Sequence, residues 1–555
     1  MAHHLKSALT TPPEKAAHYI ARGWWTDAMI HEWVADWAVR VPDAPAVIGP
    51  DSTLTYAQLN QSAQRFASGL IDLGFRRGDV IGLQLPNSSE FLTAFLGILI
   101  MGAVPCMLPM PYRRKELEPL LAHGQARGII CLAGVEGYDI AAVMDGLRTA
   151  VPTLEIVIAL GDTNPGGSVP FGPLAATEIG SIPYLPDADD PAVLAFTSGT
   201  SAAPKAIVHT HRTFCAACRA LRDNIVTSSA DVVMSAPAYS HAFGLLVVVA
   251  TIAAGAASAT MAVYSPQALA DTIRRTRATV FCGGPVHVYL GQKAGLWRAE
   301  VTESLKRSFI GGAPTSEEAV RIVDEACLNG KAYQIWGMSE VLVPVMNTLD
   351  VPAPLRFRAV GKAWKSHQAR IVDDDGALLP PGEEGHLETC GPFQNASYYG
   401  NEQATRSAFH PDGWFRTGDL ARMDRDGYIQ MCGRAKDLII RGGIKINPVD
   451  IELAMNAHPA VVQSAIVPAP DPILGERACL VLVMAPGATL TLDDMRTYLA
   501  EHGIAKMRWP ERLEFVDTMP MTASRKIIKG KLIEQLGLRQ KRREALSQRR
   551  CPTAE

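Results

Sequence analysis

Between residues 232 and 340 one pattern recurs: a short apolar run that ends in glycine or another small residue. Residues 232–236 lead into Pro-Ala-Tyr-Ser-His-Ala-Phe-Gly at 237–244, and 279–281 lead into Cys282, Gly283 and Gly284. Residues 308–310 lead into Gly311, Gly312, Ala313 and Pro314, and 332–335 into Trp336, Gly337, Met338, Ser339 and Glu340. Apolar runs this short, punctuated by glycine and proline, predict buried strands of a parallel sheet. In an open α/β sheet the turns after such strands gather along the carboxyl edge, where ligands bind.

The flanking sequence alternates in the same way. Ile30, Trp33, Val34 and Trp37 predict an amphipathic helix over 29–39, stopped by Pro42 and Pro45. Short strands are expected at 46–48 and 53–55, a helix at 56–73, a strand at 80–85 and a helix at 88–101. A strand at 128–132, a helix at 140–150 and a strand at 154–160 continue the series, and apolar positions at Phe214, Ala217, Leu221 and Ile225 predict a helix over 209–224. Strands interleaved with helices indicate an α/β fold: a large N-terminal domain of layered, mostly parallel sheets. From Asn447 the character changes to a small α+β unit, with helices at 447–455, 492–501 and 529–536 and strands at 461–467, 478–484 and 512–516. We place the boundary at Lys436, giving domains 1–435 and 436–555.

A chain of 555 residues exceeds one ordinary domain, and its 48% hydrophobic content can fill a large core. A net charge of −3 argues against a general nucleic-acid binder. The ten cysteines form no framework, and the N-terminus lacks a basic segment followed by an apolar run, so a reducing cytoplasm is expected. Cys215 and Cys218 form one Cys-x-x-Cys downstream of His209 and His211; without further ligands at matching spacing, we read them as small core residues. The uncharged run 242–264 has the length of a membrane span, but its alanine and glycine content and missing basic flanks favour a buried helix and strand. The same holds for 91–110. A transporter would rest on these runs alone, and no membrane span is expected.

Several stretches carry chemistry. Residues 196–205 read Phe-Thr-Ser-Gly-Thr-Ser-Ala-Ala-Pro-Lys, an apolar entry, a hydroxyl-rich turn and a cation. Such a loop can hold an anion through amides, hydroxyls and Lys205, or it can be a plain surface turn; it lacks the Gly-x4-Gly-Lys spacing of the Walker loop. His241 can line a pocket or serve packing. Asp419, within Gly-Trp-Phe-Arg-Thr-Gly-Asp-Leu at 413–420, can accept two ribose hydroxyls or close an Asx turn. Gly433, Arg434, Ala435, Lys436 and Asp437 follow a hairpin at Asp426 and Gly427.

In this order and spacing, over roughly residues 25–540, these clusters resemble the adenylate-forming superfamily of acyl- and aryl-CoA synthetases, luciferases and peptide-synthetase adenylation domains. Met-Pro-Tyr-Arg-Arg-Lys-Glu-Leu at 110–117, Val-His-Thr-His at 208–211 and Ile-Arg-Gly-Gly at 440–443 look like the branch with cyclohexanecarboxylate-type and medium-chain acyl-CoA ligases and free-standing aryl-acid adenylating enzymes. The resemblance implies two steps: a carboxylate attacks the α-phosphorus of ATP, and a thiol of coenzyme A or of a carrier protein's phosphopantetheine then displaces AMP. It assigns Thr197, Ser198, Gly199, Thr200, Ser201 and Lys205 to the phosphates, and Glu340 with Thr200 to magnesium. Gly312, Ala313, Pro314, Trp336 and Gly337 are assigned to adenine, Asp419 to the ribose hydroxyls and Arg434 to ribose or phosphate. Lys526 matches the catalytic lysine, Lys436 the hinge, and Arg441, Gly442 and Gly443 the thiol channel.

The chain departs from the family pattern in places. Ala202 and Ala206 stand where glycine is usual, and alanine at positive φ costs about 1 kcal/mol, so a slightly altered loop with retained ATP binding is expected. Trp336 replaces a tyrosine, Ser339 a threonine, and Arg525 a glycine beside Lys526. The implied acyl pocket comprises His241, Ala242, Phe243, Gly244, Gly283, Gly311, Met338 and Val341. The enzymes of 2-hydroxybenzoates carry asparagine where Ala242 stands, so an alicyclic, medium-chain or simple aromatic acid is expected. The leading expectation is an acid–CoA ligase that uses ATP and Mg2+; the alternatives are an enzyme loading a carrier protein and a non-catalytic nucleotide-binding relative. The expected partners are a small carboxylic acid, ATP and the thiol, without nucleic acid, and a homodimer is compatible with this reading.

Overall fold

The computed structural model describes all residues except 1–3, 9–10, 136–138, 164–166, 184–185, 198–204, 396, 443, 523–525 and 539–555. The chain divides into two compact units. Met1–Ala313, Ala319–Ala369 and Glu388–Arg416 form the first; Pro314–Glu318, Arg370–Leu387 and Thr417–Glu555 form the second. The second unit thus takes in residues upstream of Lys436, whereas its five-stranded sheet begins just beyond it, at Ile439–Arg441.

The recurrent strand-and-turn pattern builds the nine-stranded sheet of the first unit. Lys331–Met338, Arg307–Gly311, Val280–Gly283 and Val232–Ser235 are neighbours in that order and run parallel. Ala257–Ala259 and Pro45–Ile48 extend the parallel set, and antiparallel strands close both edges, Thr53–Thr55 at one and Leu342–Met346 with Lys362–Ala363 at the other. The small-residue turns therefore share one carboxyl edge, as expected. A second sheet of eight strands has a parallel body from Pro191–Thr197 through Val104–Met107, Val80–Gln84, Ala126–Leu132 and Ile156–Leu160 to Val169–Pro170. Lys205–Thr210 and Tyr398–Tyr399 add antiparallel strands at its other side.

One core cluster draws on both sheets and on several helices, among them Tyr56–Asp72, Ser89–Ile100, His211–Asn224 and Ala242–Ala253. Burial on every side explains the membrane-like composition of the second and fourth of these. Among the described residues no helix is long and apolar enough to cross a membrane. Cys215 and Cys218 are core residues of the third, and burial raises both thiols. The helix expected from 209 starts at His211, because 205–210 pair as a strand with Pro191–Thr197, and Thr210 caps the helix by accepting from the Thr213 N–H. Trp336, Gly337 and Met338, expected in a turn, are the last residues of a strand whose hairpin partner is Leu342–Met346.

In the second unit the long hairpin of Val461–Asp471 and Gly475–Met484 has period-two burial that serves two cores. Ile466, Leu480 and Leu482 face one cluster with Ile451, Met455, Met495 and Leu499; Ala465, Val467, Cys479 and Val481 face another with Leu532. A Thr491–Asp494 capping box starts the helix Leu492–Glu501.

Three buried histidines contribute to the acid response of the first unit. His209, His211 and His367 are all under a tenth exposed, and burial lowers their pKa from 6.5 to about 4, 3 and 3. His211 Nδ1 accepts the Ile30 N–H at 3.3 Å, and His367 Nε2 accepts the Phe393 N–H at 3.4 Å, so both rings are held neutral. The unfolded chain takes up these protons through pH 6.5 and the folded chain does not. Their contribution is thus intact above pH 6.5 and falls as pH drops toward 4, by up to about 1.4 kcal/mol per unit per ring. The urea midpoint is expected to fall between pH 7.5 and 5.0, and His211→Gln is expected to lessen that fall by about 2 kcal/mol. An unchanged pH dependence in the variant would contradict this.

Candidate functional site

At the carboxyl edge of the nine-stranded sheet, the turn before His241 is fixed from outside. Asn87 donates from Nδ2 to the Pro237 carbonyl at 3.0 Å and accepts the Tyr239 N–H at 2.7 Å. The Tyr239 hydroxyl pairs with Ser258 Oγ at 2.9 Å. His241 then caps the helix Ala242–Ala253, its Nδ1 accepting the Phe243 N–H at 3.4 Å. Gly244 packs against the Ala238 and Pro237 carbonyls with no room for a Cβ. Register brings Gly283 beside Ile310 and Gly311 beside Ile335, and a Cβ on Gly312 would stand 3.7 Å from the Phe243 ring. The first unit therefore assembles His241, Ala242, Phe243, Gly244, Gly283, Gly311, Gly312 and the end of the strand Lys331–Met338 along one edge.

Glu340 sits at the tip of the hairpin between Lys331–Met338 and Leu342–Met346. Gly337 occupies a bulge, where a Cβ would overlap the Leu342 carbonyl oxygen, and Leu342 takes φ 56°. A left-handed leucine costs roughly 1–2 kcal/mol, so the surrounding contacts must hold this tip. Val341 N–H bonds the Met338 carbonyl at 3.2 Å, and Asn395 N–H bonds the Glu340 carbonyl at 2.8 Å. His209, neutral, reaches the Ser339 carbonyl from Nε2 at 2.7 Å. The Glu340 side chain is buried, and Oε1 accepts the Tyr398 hydroxyl at 2.8 Å. Lys205 Nζ lies 4.9 Å from the centre of the same tyrosine ring.

Lys205 opens the strand Lys205–Thr210. Ser198, Gly199, Thr200 and Ser201 lie outside the described residues, as do Ala202 and the side chain of Thr197. Ala206 is buried in the strand, paired with Phe196 and Tyr399, and is not among the residues of positive φ. The conformational cost expected for alanine there does not arise.

In the second unit, Asp419 and Arg434 face each other across antiparallel strands, Phe415–Met423 and Ile429–Arg434, with Arg434 Nε 3.0 Å from Asp419 Oδ1. The Asp419 N–H donates to Thr417 Oγ1 at 3.0 Å, and that hydroxyl donates to the Leu387 carbonyl at 2.7 Å. This aspartate is a buried carboxylate on an organised mount. Lys526 is tied to Thr522: its N–H bonds Thr522 Oγ1 at 3.0 Å and its carbonyl accepts the Thr522 N–H at 2.7 Å, beside the Met521–Ile527 bridge. Lys436 lies in the 3-10 turn Ala435–Asp437. Arg441 is bound to Glu511 and to the Met507 carbonyl, so it braces the loop; Gly442 takes φ 55° there, and Gly443 lies outside the described residues. Pro314 falls in the second unit, and Gly312 and Ala313 in the first.

Among the described residues no group of three or more His, Cys, Asp or Glu could hold a metal. A single buried carboxylate such as Glu340 suits magnesium, which is commonly bound by one or two carboxylates together with phosphate oxygens and water. Asn87, Asn395 and Tyr398 were not singled out from the sequence; they act across gaps of 152, 55 and 58 residues, where no local pattern points.

A sequence model described as AMP-binding enzyme matches residues 34–399, and one described as AMP-binding enzyme C-terminal domain matches 450–526. The chain is 33% identical over 535 residues to a salicyl-AMP ligase / salicyl-S-ArCP synthetase of Mycobacterium tuberculosis, covering 95% of this chain and 94% of that one. It is 29% identical over 532 residues to a medium-chain fatty-acid–CoA ligase of Escherichia coli, again covering 95% and 94%. The crystal structure of ATP-bound MatB from Rhodopseudomonas palustris matches with a TM-score of 0.81 at 27% identity, covering 92% of this chain and 99% of that one.

The Gly337 bulge yields a stability test. Gly337→Ala must displace the Leu342 backbone, and is expected to cost about 1–3 kcal/mol in urea denaturation. An unchanged midpoint would show that the hairpin tip is not close-packed.

Proposed function

The chain belongs to the AMP-binding enzyme family, and we propose that it activates an apolar carboxylic acid as its acyl-adenylate and passes the acyl group to the thiol of coenzyme A. The observation that carries this reading is the buried Glu340 carboxylate, fixed at 2.8 Å by Tyr398, with the Lys205 ammonium over the same ring. In the first step a carboxylate oxygen of the acid bonds to the α-phosphorus of ATP and pyrophosphate leaves. Lys205, with the loop residues Thr197 to Ser201, holds the phosphates, and Lys526 offsets charge at the reacting oxygens. Glu340 and Thr200 would hold a magnesium ion, which would supply positive charge to offset phosphate repulsion. Asp419, held by Arg434 at 3.0 Å, accepts the ribose hydroxyls, while Gly312, Ala313, Pro314, Trp336 and Gly337 take the adenine.

In the second step the thiol sulfur bonds to the acyl carbon and the bond to AMP breaks. Rotation at Lys436 withdraws Lys526 and brings Arg441, Gly442 and Gly443 to the thiol arm, so that one site serves both steps. Ala242 offers no amide to a 2-hydroxyl or carboxylate, and Phe243, Met338 and Val341 make the acid pocket apolar. This supports alicyclic, medium-chain or simple aromatic acids. The nine described cysteines are all unpaired, which supports a cytoplasmic setting. A second reading, transfer to a carrier protein's phosphopantetheine, draws on the 33% identical relative, whose name includes such a synthetase.

A pyrophosphate-release screen over diverse acids, followed by mass analysis of the thioester with coenzyme A, tests this reading. Cyclohexanecarboxylate-like, medium-chain or simple aromatic acids are expected to exceed salicylate by about tenfold or more in kcat/KM. Salicylate as the best substrate would overturn the acid assignment, and loading of a carrier without any coenzyme A thioester would overturn the thiol assignment. Lys526→Ala is expected to slow adenylation by about a hundredfold or more and to spare thioester formation from pre-made acyl-adenylate. Equal loss of both half-reactions would remove the role given to Lys526.

A further inference from the structure

We propose that Tyr398 is a positioning residue that sets the Glu340 carboxylate and the Lys205 ammonium for a magnesium–triphosphate ligand, using its hydroxyl for one and its ring for the other. The inference rests on the functional reading above. The phenol is 4% exposed, and its hydroxyl donates to the Glu340 carboxylate. It holds Glu340 Oε1 at 2.8 Å, which restrains the carboxylate's orientation. The ring faces Lys205 Nζ at 4.9 Å. A ring face holds an ammonium without using an N–H, so the contact leaves the donors of Lys205 to phosphate oxygens.

The mount of Tyr398 is rigid. Its strand, Tyr398–Tyr399, pairs with Ile207 and Ala206, next to Lys205 in the chain. The Tyr398 N–H donates to Thr405 Oγ1 at 3.0 Å, and the Tyr399 carbonyl accepts from His123 Nε2 at 2.9 Å. Asn395, three residues upstream, grips the Glu340 carbonyl at 2.8 Å. One short segment thus holds both the backbone and the side chain of Glu340 and lies beside the strand that carries Lys205. Glu340 belongs to the nine-stranded sheet's edge hairpin and Lys205 to the eight-stranded sheet, and Tyr398 links the two.

The test is ATP binding measured by calorimetry across a magnesium series, with thermal melting to confirm folding. Tyr398→Phe is nearly isosteric, keeps the ring and loses the hydroxyl. It is expected to need at least about fivefold more magnesium for half-maximal ATP binding, with affinity at saturating magnesium within about twofold of wild type. Tyr398→Leu is expected to add a weakening of about threefold or more at saturating magnesium, from loss of the ring. In a Glu340→Gln background, Tyr398→Phe is expected to change binding by less than about twofold, because its effect runs through that carboxylate. Wild-type magnesium dependence in Tyr398→Phe, or the same fivefold change in the Glu340→Gln background, overturns the hydroxyl role. Equal behaviour of the Phe and Leu variants overturns the ring role. Absence of magnesium-dependent ATP binding by the wild type removes the functional reading and this role with it.

Discussion

A carboxylate taken out of water must be given donors, and in the first unit that requirement gathers the chemistry. Glu340 is buried at the tip of a tight hairpin, on a turn that contains a left-handed leucine and a glycine bulge. Neither is favourable alone. The tip persists because His209, Asn395 and Tyr398 each supply a hydrogen bond to residues 339–340. A buried polar network of this kind is costly if any member is missing, and rigid when it is complete. Rigidity is what electrostatic stabilisation of a polyanion asks of its binding groups.

The parallel sheet is the frame on which this rests. Four neighbouring strands run the same way, so their terminal turns meet at one edge whatever residues those turns contain. Small residues are then needed for a separate reason, since backbone packs closely at Gly244 and Gly337. Asp419 and Arg434 obey a different logic within the second unit, as cross-strand partners whose register aligns them directly.

Much of this was legible in the sequence because the governing interactions are local. Strand, small-residue turn and helix are written in periodicity and punctuation, and the edge grouping of His241, Gly283, Gly311 and Gly337 followed from repetition of that pattern. The helix expected from His209 began two residues later because strand pairing with Pro191–Thr197 overrides helical spacing there. Trp336 to Met338 are strand for the same reason: a hairpin partner downstream extends the ladder. Tyr398, Asn395 and Asn87 were not legible, since each acts on a residue more than fifty positions away and sits in no periodic pattern. Ala206, unusual against the family loop, proved ordinary once its extended pairing was seen.

In the proposed reaction a carboxylate oxygen attacks the α-phosphorus and later departs with AMP. Incubating the protein with ATP, coenzyme A and an accepted acid labelled with 18O at both carboxylate oxygens, then weighing the products, tests this bond by bond. The AMP is expected to gain one 18O, about 2 mass units, and the pyrophosphate none. Unlabelled AMP, or ADP and label-bearing phosphate in its place, would contradict it.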